Sequence, residues 1–246
     1  MLELILIFFV GLIGSFLSGL SGGGVGLIVM PFMILIGVPP QSAVATIKAS
    51  ALGLGAGSIA RFLKTDYIVW KYAFRLIPLA LLASFLGAKV LFAIPEDMIE
   101  LIVTLVLIFS VILMYLKKNL GIEKVSASKL SQFFGYLGYL ISETLRASFG
   151  SGFGFVTGVD LIKFLGLDML SATATKRIPG IILTIVSFGI YFSAGIIDIY
   201  YAIALFLGAL LGSYAGSHIA IAKGNKFVKT IFTAIVIAMI VSLLIR

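Results

Sequence analysis

The sequence predicts an all-α polytopic membrane protein of two inverted-topology repeats, each a glycine-broken helix segment, re-entrant or hairpin, plus three transmembrane helices. Three observations predict it. The 246 residues are 61% hydrophobic and 11% charged, far less charge than a soluble domain of this length exposes. The stretches "SAVATIK" from Ser42 and "SATATKR" from Ser171 stand 129 positions apart, and the same offset pairs Gly37 with Gly166, Ser58 with Ser187, Ser84 with Ser213 and Gly87 with Gly216 without a gap. Loop charges, finally, have opposite signs at corresponding places in the two copies.

The elements follow in order. Residues 2–37 are too long for one membrane helix of about 20 residues and are interrupted at "LSGGGVG", Leu20 to Gly26. They are expected to leave and return to one side of the membrane. Spans are predicted over 43–60, 72–93 and 98–116, then a polar linker, "KKNLGIEKVSASK". The second copy repeats the plan: an opening segment 131–166 broken at "FGSGFG", Phe149 to Gly154, and spans over 171–193, 199–222 and 227–245. The expected organisation is a first repeat over 1–116, a cytoplasmic linker over 117–130 and a second repeat over 131–246, within a single transmembrane domain. Runs such as "LIVTLVLIFSVILMYL" lack the polar alternation of barrel strands, which favours helices.

Basic loops face the cytoplasm. The loop "RFLKTDYIVWK" carries Arg61, Lys64 and Lys71 and is placed inside, whereas "AIPEDMIE" has only acids and is placed outside. In the second copy the counterpart of the first, "SAGIIDIY", has no base, and the counterpart of the second, "AKGNKFVK", has three lysines. The copies are thus read as inverted, in the plasma membrane, with both termini outside. Tyr67, Trp70 and Tyr72 beside the first basic loop read as interfacial anchors.

Composition also excludes. With no cysteine and one histidine, His218, disulfide, thiol and thiolate-metal chemistry are out, and neither a metal nor any other cofactor is expected. The net charge of +8 reads as membrane topology, not nucleic-acid binding. The opening "MLELILIFF" begins with an acid where a secretory signal carries bases, so the first segment is expected to stay. No HExxH or GxSxG pattern occurs, and no enzyme is predicted. The expected partners are a small anionic solute and the lipid bilayer; a homo-oligomer is left open.

Paired glycine breaks suggest half-helices whose N-terminal N–H groups and positive dipole ends meet an anion; the alternative is glycine used for close helix packing. The candidates at the breaks are Ser21, Gly22, Gly23, Gly24 and Gly26, and Gly150, Ser151, Gly152 and Gly154. On the following helices Ser42 and Thr46, like Ser171 and Thr175, fall one turn apart on one face, with the bases Lys48, Lys176 and Arg177 deep in the span. Against a shared ligand, Thr46 and Lys48 are two residues apart and point nearly opposite ways; the alternative is hydroxyls bonded to backbone and bases reaching to headgroups. Glu143 and Arg146, three apart, either neutralise each other or handle protons, and Asp160 with Lys163 poses the same choice. The stripe Gly208, Gly212, Gly216 reads as helix packing.

These residues resemble a known family. "GLIGSFLSGLSGGGVGLIVMPFMILIGVPPQSAVAT" is similar to the opening of the sulfite exporter TauE/SafE family, also known as the toluene-sulfonate uptake permease family, in its glycine-rich stretch, in Pro31 and in Thr46. The two-halved plan resembles that family over nearly the whole chain; "SFGSGFGFVTGVD" in the second half is poorer in glycine and sets Asp160 opposite Pro31. The resemblance implies a secondary carrier of sulfite, sulfonates or related oxyanions, its halves moving around a central site. A passive anion channel or a carrier of small carboxylates would use the same residues.

Overall fold

The structure, a computed structural model, describes residues 2–23, 25–95, 98, 121–150 and 153–244. Among these, every regular element is helical: α1 (Leu2–Ser21), α2 (Val25–Leu35), α3 (Pro40–Phe62), α4 (Trp70–Ala93), α5 (Lys129–Phe149), α6 (Gly154–Leu165), α7 (Met169–Ser193) and α8 (Ile199–Leu244). The span predicted over 98–116 lies outside the described residues. The two predicted last spans are both helical and are separated at Gly224, whose φ of 80° and ψ of 179° are not helical; α8 denotes the two together. Helix α5 begins at Lys129, where Ser128 accepts a hydrogen bond from Ser131 N at 3.2 Å as its N-cap.

Five described helices are long and apolar enough to cross a membrane: α1, α3, α4, α7 and α8 over Ile199–Ile231. The chain is a multi-pass membrane protein. By contrast α2 has 11 residues and α6 has 12, about 16–18 Å at about 1.5 Å per residue, roughly half the hydrocarbon thickness of about 30 Å.

Local chemistry explains the boundaries. Gly22, at φ 85°, ends α1, and Gly150, at φ 97°, ends α5, both in a conformation that side chains resist. Pro39 and Pro40 open α3, their missing N–H groups falling where no helical partner exists. Asp168 opens α7 by accepting from Ser171 N at 2.7 Å.

The offset of the sequence repeat recurs in the structure: α6, α7 and α8 begin 129 residues after α2, α3 and α4. Packing is exchanged between the copies. The first helix of each copy, α1 or α5, lies along the last described helix of the other, α8 or α4. Gly208 lies against Phe8 and Leu12, Gly212 against Leu12 and Phe16, and Gly216 against Phe16 and Leu20, so α1 and α8 run in the same direction with backbones in contact. The glycine stripe is a packing seam, as the sequence suggested. Its counterpart Gly87 sets α4 against Thr144, Ala147 and Ser148 of α5.

Candidate functional site

The two glycine breaks meet. A Cβ on Gly23 would stand 2.8 Å from Phe155 N and 2.9 Å from the Gly154 carbonyl carbon, so the tip of the α1–α2 segment touches the start of α6 backbone to backbone. Beside this contact lies a cavity of about 30 Å³ whose wall includes Gly22, Gly23, Gly154, Glu143, Arg146, Lys176 and Arg177. Ser18, Gly180 and Thr184 complete its polar lining. Helix α6 starts at this wall, its first residue Gly154 forming part of the lining.

The charges are held by specific bonds. Arg146 donates from Nε at 2.8 Å and from Nη2 at 2.5 Å to Glu143 Oε2, and Thr157 donates to Glu143 Oε1 at 2.8 Å. Lys176 Nζ donates to the Gly154 carbonyl at 2.7 Å, bracing the α6 start from α7. Arg177 Nη2 donates to the Ser18 carbonyl at 3.1 Å. Two donors of wall residues, Ser18 Oγ and Arg177 Nε, are buried without a hydrogen-bond partner among the described residues. Three bases thus share the cavity with one carboxylate, and an anion there would satisfy groups that protein leaves open.

The repeated Ser/Thr/base motif is used in a way one helix cannot disclose. Thr46 accepts from Asp198 N at 3.2 Å and Thr175 from Val69 N at 3.0 Å, and these two bonds are the same bond displaced by 129 residues. Each threonine therefore holds the residue that leads into the other copy's last described helix, through a hydrogen bond typically worth about 1 kcal/mol. The bases are exchanged likewise. Lys48 Nζ donates to the carbonyls of Arg146 at 2.9 Å and Ala147 at 2.7 Å, at the end of α5, as Arg177 donates to Ser18 at the end of α1. A cation at a helix C-terminus meets both the unpaired carbonyls and the negative dipole end.

Of the residues predicted from sequence, the structure gathers Gly22, Gly23, Gly154, Glu143, Lys176 and Arg177 at the cavity. Lys48, Thr46 and Thr175 are turned to backbone groups off the wall. Ser21 Oγ donates to the carbonyls of Leu17 and Gly23, Ser171 Oγ is buried without a partner among the described residues, and Gly26 is buried while Ser42 is half-buried, both away from the wall. Gly150 ends α5 by donating its N–H to the Arg146 carbonyl at 3.1 Å. Gly24, Ser151 and Gly152 lie outside the described residues. Asp160 faces Gly138 on α5, away from the wall, with Oδ2 unpartnered among the described residues, and Lys163 lies over the Phe164 ring at 4.9 Å. Ser18, Thr184 and the role of Arg146 as a wall residue escaped sequence reading; Arg146 carried a signal, as a charge one turn before a glycine break.

The glycine-broken end of α1 meeting a half-length helix over a buried, base-rich cavity, inside a bundle of membrane-crossing helices, is an arrangement that membrane transporters use. The family profile described as Sulfite exporter TauE/SafE matches residues 7–243. The chain belongs to that family. Among its relatives, a probable membrane transporter protein, ORF9, from a Sinorhizobium species is 26% identical over 97% of this chain and 91% of its own length. A probable membrane transporter protein of Haemophilus influenzae is 26% identical over 92% of this chain and 88% of its own, and YfcA of Escherichia coli, also a probable membrane transporter protein, is 23% identical over 97% and 88%. No solved structure matches the chain. These names describe transporters, not enzymes.

Proposed function

We propose that the protein carries a small sulfur oxyanion, sulfite or a sulfonate, by alternating access through the cavity between the breaks. The observation that carries this reading is the cavity wall itself: Arg146, Lys176 and Arg177 against Glu143, with Ser18 Oγ and Arg177 Nε unpartnered among the described residues. Several fixed donors suit an anion with three oxygens, and charge-assisted hydrogen bonds are the strong ones. At about 30 Å³ the cavity has room for about one water, so an oxyanion requires the walls to part. Those walls come from both halves, α1 and α3 on one side and α5, α6 and α7 on the other, which suits rocking of one half against the other.

We read the halves as inverted repeats, 1–116 and 131–246 about a cytoplasmic linker, in the plasma membrane. One end of the bundle ties together the linker, the α6–α7 turn and the Gly224 break of α8: Asn225 bonds to Leu170 N and the Ile122 carbonyl, and Val125 N to the Gly166 carbonyl. The segments there carry Lys124, Lys223 and Lys226 against Glu123 and Asp168, whereas 194–198 on the other side offers only Asp198 as a charge. The basic end is placed in the cytoplasm, and both termini outside.

The test is uptake into proteoliposomes. Labelled sulfite and methanesulfonate enter with saturating kinetics, and unlabelled anion inside accelerates entry. Flux that rises linearly with concentration indicates a channel; acetate transport without sulfite or methanesulfonate transport indicates a carboxylate carrier. Either result contradicts the proposal.

A further inference from the structure

We propose that Glu143 is a tethered counter-ion: the transported anion displaces its carboxylate from Arg146, and the displaced carboxylate takes up one proton from water, so one proton crosses with each anion. This rests on the cavity reading above. The geometry is that of a site already holding an anion, one belonging to the protein. Arg146 presents Nε and Nη2 together to Glu143 Oε2, charge-assisted donation of the kind an oxyanion oxygen would accept. For a solute to take that grip the carboxylate must leave it.

The surroundings provide for both forms of the carboxyl group. On α5 it faces Arg146 and, one turn back, Tyr139, whose buried hydroxyl has no hydrogen-bond partner among the described residues. On α6 it faces Thr157, whose hydroxyl now donates to Oε1 and accepts from Ser142 or Glu143 if rotated; a hydroxyl serves a carboxylate as donor and a carboxylic acid as acceptor. On α7, Lys176 and Arg177 stand within its electrostatic reach, as does Lys48 on α3. Asp160, one turn beyond Thr157 on α6, turns to Gly138 instead.

Charge balance gives the reason for the proton. Glu143, 2% exposed, shares a low-dielectric site with three bases. A monoanion added beside an ionised Glu143 would put two negative charges in contact where water screens neither. If Glu143 is protonated as the anion arrives, the site keeps the same net charge before and after, and no unbalanced charge crosses the lipid.

A proton count on the purified full chain tests this. Methanesulfonate, whose acid is too strong to carry a proton near neutral pH, is titrated calorimetrically in two buffers of different ionisation enthalpy. Wild-type protein takes up about one proton per anion bound, as linkage requires; Glu143→Gln binds the anion with no proton uptake, and Asp160→Asn still takes up one. A wild-type protein that binds the anion without a proton, or a Glu143→Gln variant that keeps the proton, overturns the proposal. Should Glu143→Gln not fold, the infrared difference spectrum of Asp160→Asn on anion binding decides: a new carboxylic-acid band, with Asp160 removed, supports the proposal, and its absence overturns it. Anion exchange in liposomes separates the two readings. Exchange without proton uptake sinks the coupling alone, whereas a wild-type protein that neither binds nor exchanges a sulfur oxyanion sinks the site as well.

Discussion

Arg177→Gln raises the half-saturating concentration of sulfite by about 10- to 100-fold, while Lys48→Gln leaves it within a few-fold of wild type. A charged hydrogen bond contributes about 1.5–3 kcal/mol, and about 1.4 kcal/mol is tenfold in affinity. Both residues are buried bases at the same place in their copies, yet Arg177 has a donor to spare. Arg177 belongs to the cavity wall; its Nη2 holds the Ser18 carbonyl and its Nε stands unpartnered among the described residues. Lys48 is held by the carbonyls of Arg146 and Ala147 and packs over the Tyr191 ring at 5.8 Å, off the wall. Removing it costs stability at the end of α5, because the Arg146 and Ala147 carbonyls lose a charged donor and keep only the Gly150 N–H and the Tyr191 hydroxyl. Concentration dependence of uptake, with the folded fraction measured in parallel, distinguishes the two; equal loss of affinity in both variants contradicts the assignment.

Gly212→Leu destroys the fold. A Cβ at Gly212 would meet the Leu12 carbonyl oxygen inside contact distance and stand 3.0 Å from Phe16 N, both rigid backbone of α1. Overpacking a core usually costs about 1–3 kcal/mol when neighbouring side chains give way; here nothing flexible faces the new group, so the helices must separate along the seam. Because α1 carries Ser18 and Gly22 into the cavity, separation also dismantles the site. Gly189→Leu on α7 is the control, since a Cβ there meets nothing within 4 Å. Size-exclusion profiles after graded heating in detergent show Gly212→Leu aggregated or shifted down by many degrees and Gly189→Leu near wild type. Equal profiles contradict the backbone-contact seam.

What the sequence disclosed was periodic or local. Helical type follows from apolar runs, the places of the breaks from Gly22 and Gly150, and the seam from glycines at every fourth position. The offset between Ser42 and Ser171 anticipated helix starts as far along as Trp70 and Ile199. What stayed hidden depends on partners far along the chain. The angle between Thr46 and Lys48 warned that they serve different neighbours, but nothing local says that one holds the residue leading into α8 and the other the end of α5, through bonds spanning 152 and 99 residues. Ser18 is equally unreadable, because an apolar helix with a serine looks the same whether the hydroxyl meets its own backbone or a cavity. The motif repeats because the two copies clasp each other reciprocally; Arg177 differs from Lys48 in keeping a donor, Nε, without a partner among the described residues.

The central claim is that an oxyanion lodges where the two breaks touch. Crystals soaked in selenite, the heavier analogue of sulfite, test it most directly through anomalous scattering. The account predicts one strong peak between Gly22 and Gly154, within hydrogen-bonding reach of Arg177 and Ser18. A peak confined to the basic loops around Lys124 and Lys223, with none at the meeting of the breaks, would contradict it.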